Sequence, residues 1–251
     1  MTIDNFMKLE ICVFSIQDVL SAIRGGADRL ELCASYLEGG ITPSHATITE
    51  TFKYFEPENV VVMIRPRGGN FIYSEAEFEV MKNDILHCKE LGVKNIIFGI
   101  INKDATLDVT RNKELFELAS PMHCTLQRAF DLTLDPFIAL EDAILCGFKR
   151  VLTSGQQASV LQGTTLIKQL IEKAGSRIAI LPGAGITSEN VLKLIEETGC
   201  TEIHTSAKMY ERPDPDQSFQ FREGIYDFTK LIITDAEEVK KIKTIINQFP
   251  T

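Results

Sequence analysis

Two short segments near the start of the chain repeat one pattern, in which a glutamate stands two residues before a cysteine. The segments read LEIC at 9–12 and LELC at 30–33. Alternate residues of a β-strand share a face, so Glu10 lies beside Cys12 and Glu31 beside Cys33 if both segments are strands. Two thiolates on neighbouring strands form a soft ligand pair suited to Cu(I). The alternative interpretation is that both cysteines are small buried hydrophobic side chains.

Two arginines follow a later apolar run, in the segment RPRGG at 65–69. The proline stiffens this loop and the glycines permit close approach, so Arg65 and Arg67 can form a fork for a carboxylate or a phosphate. An equally weighted alternative is a structural ion-pair ring of these arginines with Glu10 and Glu31.

Further polar residues and glycines stand where other apolar runs end. A glycine-rich turn offers backbone N–H groups to a phosphate, although a tight turn without a ligand is an equal alternative. One histidine stands at such an end, whereas we expect His87 and His123 to be structural and His45 to be solvated. These strand-end candidates for binding an anion or substrate are Arg128, Asp131, Ser154, Gly183, Gly185, His204 and Ser206.

The elements that must position these residues form a regular series of apolar runs. The runs recur with a mean spacing of about 28 residues, and their composition suits parallel strands covered on both faces. Eight strand–helix units predict a single-domain α/β fold, a (β/α)8 TIM-type barrel over residues 1–251, whose functional face is the C-terminal end of the strands. An open doubly wound sheet is the alternative. The runs start near Lys8, Arg29, Val60, Asn95, His123, Arg150, Arg177 and Thr201.

Helical periodicity separates the apolar runs, with capping residues at the helix starts and glycines at most ends. Residues 208–234 are predicted to be a long loop before the last helix, Asp235–Phe249. No nucleotide-cofactor motif follows the first strand. The other predicted helices include Ile16–Arg24, Ala46–Phe55, Glu75–Leu91, Pro136–Cys146, Thr164–Ala174 and Glu189–Thr198.

Composition and charge narrow the class of protein. The chain has 251 residues, 26 Lys+Arg against 35 Asp+Glu, and a formal charge of −9, which is typical of a soluble globular protein and argues against nucleic acid or membrane partners. No signal peptide is apparent, and the six cysteines form no C-x-x-C motif, so we expect reduced thiols in the cytoplasm. No Ser-His-Asp or H-x-x-x-H arrangement appears, which leaves a nucleophilic hydrolase poorly supported.

These motifs together resemble the CutC copper homeostasis protein family. The resemblance implies a cytoplasmic barrel that forms a homo-oligomer, with a dimer favoured, and that binds Cu(I) through Cys12 and Cys33. One departure is Gln127, where the family commonly has a histidine, because an amide cannot carry a proton as imidazole does. The matching segments are 10–12, 26–33, 38–44, 65–69, 128–131, 150–156 and 182–186.

Two functions follow as hypotheses. The first is Cu(I) binding in copper homeostasis. The second is a lyase-, isomerase- or hydrolase-like enzyme acting on a small anionic or phosphorylated metabolite, with arginines and the glycine turn holding the anion and Glu10, Glu31 or Asp131 moving protons. A non-catalytic module that binds a partner through residues 208–234 is a third alternative.

Overall fold

Eight parallel strands form the centre of the molecule, and each begins within two residues of its predicted position. The computed structural model describes residues 7–211 and 231–249. The strands are Lys8–Val13 (β1), Arg29–Leu32 (β2), Val60–Met63 (β3), Asn95–Phe98 (β4), His123–Leu126 (β5), Arg150–Thr153 (β6), Ala179–Pro182 (β7) and Glu202–Thr205 (β8).

The sheet curls into a barrel because β1 pairs with both β2 and β8. The remaining strands follow in chain order from β2 to β7. A single parallel bridge between Gly183 and His204 joins β7 to β8 and completes the ring. The prediction of a (β/α)8 barrel is therefore confirmed, and the open doubly wound sheet is wrong.

Helices follow the strands and cover the outside of the barrel. The helix predicted at 189–198 begins two residues later, because Asn190 Oδ1 accepts a hydrogen bond from the Thr187 backbone at 2.9 Å and forms a turn. The helices are Ile16–Gly25 (α1), His45–Thr51 (α2), Glu75–Glu90 (α3), Val109–Ala119 (α4), Pro136–Cys146 (α5), Thr164–Ala174 (α6), Val191–Thr198 (α7) and Ala236–Ile246 (α8). Within the described ranges, no helix combines the length and apolar character needed to cross a bilayer.

Alternation along β1 and β2 separates two hydrophobic layers. Leu9, Ile11 and Val13 belong to the large layer between strands and helices. Cys12 and Cys33 belong instead to a small cluster inside the barrel, as the parity of the strands predicts. The other buried members of this inner cluster are Val61, Met63, Ile97, Leu152 and Leu181.

The predicted loop at 208–234 differs from the structure at both of its ends. Lys208–Glu211 (β9) and Leu231–Thr234 (β10) form an antiparallel pair, and residues 212–230 lie outside the described part of the chain. The Thr234 backbone donates to Asp18 Oδ1 of α1 at 2.8 Å, which anchors the pair just before α8. The β-branched run at 232–234 explains why the chain pairs here instead of forming a loop.

Candidate functional site

A network of buried ion pairs occupies the barrel interior near the N-terminal ends of the strands. Arg29 of β2 contacts Glu10 of β1 through Nε and Glu202 of β8 through Nη2, the latter at 2.6 Å. Arg150 of β6 adds a second cation, with Nε 2.9 Å from Glu202 Oε2. The partner of Glu10 is thus Arg29, and the predicted ring with Arg65 and Arg67 is wrong. Strand parity could have found Arg29, because it shares a face with Glu31 and Cys33.

His204 connects this network to the second glutamate. Its Nδ1 atom lies 2.7 Å from Glu10 Oε1, and its Nε2 atom lies 3.6 Å from Glu31 Oε2. Burial lowers the pKa of His204, but the two carboxylates outweigh that effect and raise it above the ordinary histidine value. His204 is the third residue of β8, and its imidazole lies inside the barrel.

The two glutamates have opposite electrostatic environments, although both are buried. Burial raises the pKa of Glu10, but Arg29 and His204 overcome that effect and lower it to about 2. Burial also raises the pKa of Glu31, and the attraction of His204 does not compensate for it. Among the described residues, Glu31 Oε1 has no hydrogen-bond partner. Glu31 is therefore a buried acceptor with unused capacity.

Cys12 and Cys33 lie beside Glu31, above the ion-pair network. Their Sγ atoms are 3.9 Å apart, and one ligand atom from each of these three residues lies within 4.8 Å of the others. Burial raises the pKa of the Cys33 thiol to about 11 and that of Cys12 well above its ordinary value. The two thiols therefore lie together, as the sequence predicts. With Glu31 they form the one group of three or more potential metal ligands among the described residues.

Arg65 and Arg67 bind loop atoms near the barrel mouth. Arg65 is buried and donates to the carbonyl oxygens of Glu38, Gly40 and Gly69 at 2.7–2.8 Å. Arg67 Nε pairs with Glu77, the third residue of α3. The two guanidinium groups hold the loops around the mouth together, and these contacts use donors that an anion fork would require.

Arg128, Asp131 and Ser154 are brought together where β5 and β6 end. Asp131 accepts from the backbone and hydroxyl of Ser154, from Thr153 and from Arg128 Nε. Arg128 Nη2 also donates to Ser154 Oγ at 3.0 Å, yet its side chain remains 45% exposed. Asp131 thus anchors the loop after β6, while Arg128 keeps part of its cationic surface open to the mouth.

The glycine turn after β7 lies beside the last strand. A Cβ atom at Gly183 would lie 2.8 Å from Leu152 Cδ1 and 3.1 Å from His204, so a larger residue here would require the Leu152 side chain to move. Ala184 follows with a φ of +95°, a backbone region that L-residues rarely adopt. Gly185 lines the same cavity as Ser206, so the predicted turn and the end of β8 do meet.

A cavity of about 420 Å³ opens at this mouth and connects the residues described above. Gln127 lies in its wall, buried, with Nε2 3.4 Å from the Gly99 carbonyl oxygen. The apolar lining was not predicted from the sequence. Strands β3 and β6 place Met63 and Leu152, whereas the other apolar lining residues lie outside the strands and are placed by loop folding. The lining includes Cys12, Glu31, Gln127, Arg128, Gly185, His204 and Ser206, together with Phe14, Tyr36, Leu37, Met63, Phe71 and Leu152.

The remaining histidines lie outside this cavity. His45 Nδ1 and His87 Nε2 are 3.1 Å apart on the surface, at the start of α2 and within α3; His45 is exposed and His87 is half-buried. The exposure of His45 agrees with its predicted solvation. His123 is the first residue of β5 and is exposed.

Comparisons with known proteins identify similar chains. The model of the CutC family matches residues 7–209. A human copper homeostasis protein cutC homolog is 44% identical over 249 residues, covering 96% of this chain and 89% of the human protein. A CutC family protein of Pasteurella multocida is 40% identical over 245 residues, covering 97% and 100%. A crystal structure of a copper homeostasis protein CutC from Streptococcus agalactiae aligns with a TM-score of 0.76 and 31% identity, covering 80% of this chain and 98% of that one.

Proposed function

The chain belongs to the CutC family, and from that premise we propose that it binds Cu(I) through the Sγ atoms of Cys12 and Cys33 as part of copper homeostasis. The observation that carries this proposal is the 3.9 Å separation of the two sulfur atoms. Metal–thiolate bonds measure roughly 2.3 Å in zinc sites, and two such bonds span at most about 4.6 Å, so one ion can bridge both thiols.

The chemistry of the donor set favours a soft cation. Two sulfur atoms suit Cu(I), whereas Glu31 offers a hard oxygen donor that contributes charge more than covalency. A thiolate pair and one Cu(I) carry a net charge of −1. His204 lies next to Glu31, and its raised pKa favours the protonated, cationic form of the imidazole. The inner hydrophobic cluster packs around both cysteines.

An anaerobic titration against a chromogenic Cu(I) chelator tests this proposal. We expect one high-affinity Cu(I) per chain in the wild type and its loss in a Cys12→Ser/Cys33→Ser double variant. The matched control is Cys124→Ser/Cys200→Ser, because these two thiols are also buried but lie outside the inner cluster. Circular dichroism establishes that each variant is folded. Equal affinity in the wild type and the first double variant would reject the site.

The family resemblance and the surface of α5 support a homo-oligomer in the cytoplasm, with a dimer favoured. Ile138 and Leu145 of α5 are 59% and 65% exposed, and their spacing of seven residues places them on one side of the helix. Leu134, just before the helix, is 81% exposed. Such an apolar stripe suits burial against a second copy. Analytical ultracentrifugation of the wild type and of Ile138→Glu checks this: we expect a dimer that the variant dissociates, and a monomeric wild type would contradict it.

A further inference from the structure

The cavity above the two cysteines is far larger than a metal ion requires. Its volume of about 420 Å³ equals that of roughly 14 water molecules at about 30 Å³ each. It also lies within the range of about 300–1,000 Å³ that is typical of pockets for small organic ligands. Cu(I) held by Cys12 and Cys33 would occupy only its base, so the rest of the cavity is available to another molecule.

The base of the cavity offers a hydrogen-bond acceptor that the protein itself does not use. Glu31 is 2% exposed, lines the cavity, and has an Oε1 atom without a partner in the described part of the chain. A buried polar atom without a partner is costly, and most buried polar atoms in folded proteins are paired. A ligand hydroxyl would supply the missing donor.

The rim of the cavity offers positive potential. Arg128 lines it with a half-exposed guanidinium group whose Nε and Nη2 atoms are held by Asp131 and Ser154. These contacts fix the orientation of the guanidinium plane, which reduces the entropy lost when it binds an anion. The same cavity is lined by Gly185 after β7 and Ser206 after β8, which belong to the loops that commonly bind phosphate in this fold.

Apolar side chains line the space between the acceptor and the cation. Phe14, Met63 and Phe71 contribute to this wall, and they suit the carbon skeleton of a ligand better than they suit a hydrated ion. The cavity therefore offers three kinds of contact: a carboxylate acceptor at its base, an apolar wall, and a guanidinium group with the glycine turn at its rim.

We propose that this cavity binds a phosphate monoester of a small polyol, with the phosphate at Arg128, Gly185 and Ser206 and a hydroxyl donating to Glu31 Oε1. This site assigns the anion-binding role to Arg128, in place of Arg65 and Arg67, whose donors hold loops. The proposal does not depend on copper binding, because the ligand contacts Glu31 and the rim and forms no bond to either thiol.

Isothermal titration calorimetry of the metal-free wild type tests the site with four probes. Glycerol 3-phosphate and ribose 5-phosphate are the monoesters, and glycerol and inorganic phosphate are the separate halves. We expect saturable binding of at least one monoester, at least tenfold tighter than either half. Absence of binding by both monoesters at millimolar concentration, or equal binding of inorganic phosphate, overturns the proposal.

Variants separate the two ends of the ligand. Arg128→Met and Glu31→Leu should each weaken the bound monoester at least tenfold, because each removes a charged hydrogen-bond partner. Arg177→Met is the matched control, since Arg177 pairs with Glu141 on the outer surface. Unchanged affinity in both cavity variants contradicts the assignment.

If a variant fails to fold, a measurement on the wild-type protein still tests the site. Cys12 lines the cavity and is 8% exposed, so a bound monoester should slow its alkylation by iodoacetamide, whereas Cys200 serves as an internal reference outside the cavity. Equal alkylation rates with and without the monoester count against binding here.

The Cys12→Ser/Cys33→Ser variant should retain monoester binding while losing Cu(I), so failure of one proposal is distinguishable from failure of the other.

Discussion

Oε1 of Glu10 lies 2.7 Å from Nδ1 of His204, although 194 positions separate the two residues along the chain. They are register partners in the pairing of β1 with β8, so closure of the barrel is what brings them together. Because Glu10 also contacts Arg29, this carboxylate connects the ion-pair network at one end of the barrel to the cavity at the other. The buried charges therefore depend on the closed ring.

Replacing Glu10 with Gln should destabilise the protein. The pKa of Glu10 is about 2 when folded, below its ordinary value of 4.5, so its stabilisation is complete above pH 4.5 and is lost as the pH falls towards 2. The shift corresponds to roughly 3 kcal/mol at neutral pH. Urea unfolding of the wild type and Glu10→Gln between pH 3 and pH 8 measures this, and a stability gap that did not narrow on acidification would contradict it.

Replacing Glu31 with Gln should have the opposite effect. The pKa of Glu31 is raised by burial, so its contribution to stability is present below pH 4.5 and is lost as the pH rises through the folded value. Gln removes a poorly compensated buried charge, and we expect a gain of about 1–3 kcal/mol near pH 8. The midpoint of thermal unfolding should exceed that of the wild type by an amount that grows with pH. A less stable variant at pH 8 would show that Glu31 is satisfied in the fold.

Replacing Arg29 with Met should lower the free energy of unfolding more than removing an exposed arginine does. The change leaves Glu10 and Glu202 buried without this shared partner, and breaking a buried pair from one side typically costs about 3–5 kcal/mol. Arg177→Met removes the exposed pair with Glu141 and should change the free energy of unfolding far less, because solvent screens an exposed ion pair. Chemical denaturation of both variants checks the comparison, and similar losses would refute it.

The affinity for Cu(I) should rise with pH. Burial raises the pKa of Cys33 to about 11 and that of Cys12 well above its ordinary value, so both thiols are protonated at neutral pH. Forming a bis-thiolate complex releases two protons, and the binding constant should increase about 100-fold per pH unit. Chelator competition between pH 6.5 and pH 8.5 gives the slope, which Cys12→Ser should halve. A flat profile would indicate that the thiols are not the ligands.

The fold and the thiol pair could be predicted from the sequence because both rest on rigid periodicities. The apolar runs locate every barrel strand within two residues, and strand alternation places Glu10, Cys12, Glu31 and Cys33 inside the barrel. The same alternation places Arg29 on this inner face, and its role in the ion-pair network was not predicted. Regular backbone therefore carries most of the information about the base of the site.

The rim could not be predicted in the same way, because its contacts depend on loop backbone. Arg65 binds carbonyl oxygens from 38–40 and 69, and no side-chain pattern marks a carbonyl oxygen as a partner. Asp131 similarly accepts hydrogen bonds from the loop after β6, whereas the sequence suggested a proton-transfer role for its carboxylate. Loop geometry thus decided which of the charged candidates remained available to a ligand.

The bridge between Gly183 and His204 has a kinetic consequence. It is the only residue pair that joins β7 to β8 in the described chain, whereas β6 pairs with β7 at four positions. Amide hydrogens along this joint should exchange with deuterium through brief local openings, at a lower free energy than those between β1 and β2. His204 lines the cavity and Gly183 pairs with it, so this weakly paired joint forms part of the wall beside which a bound molecule would lie.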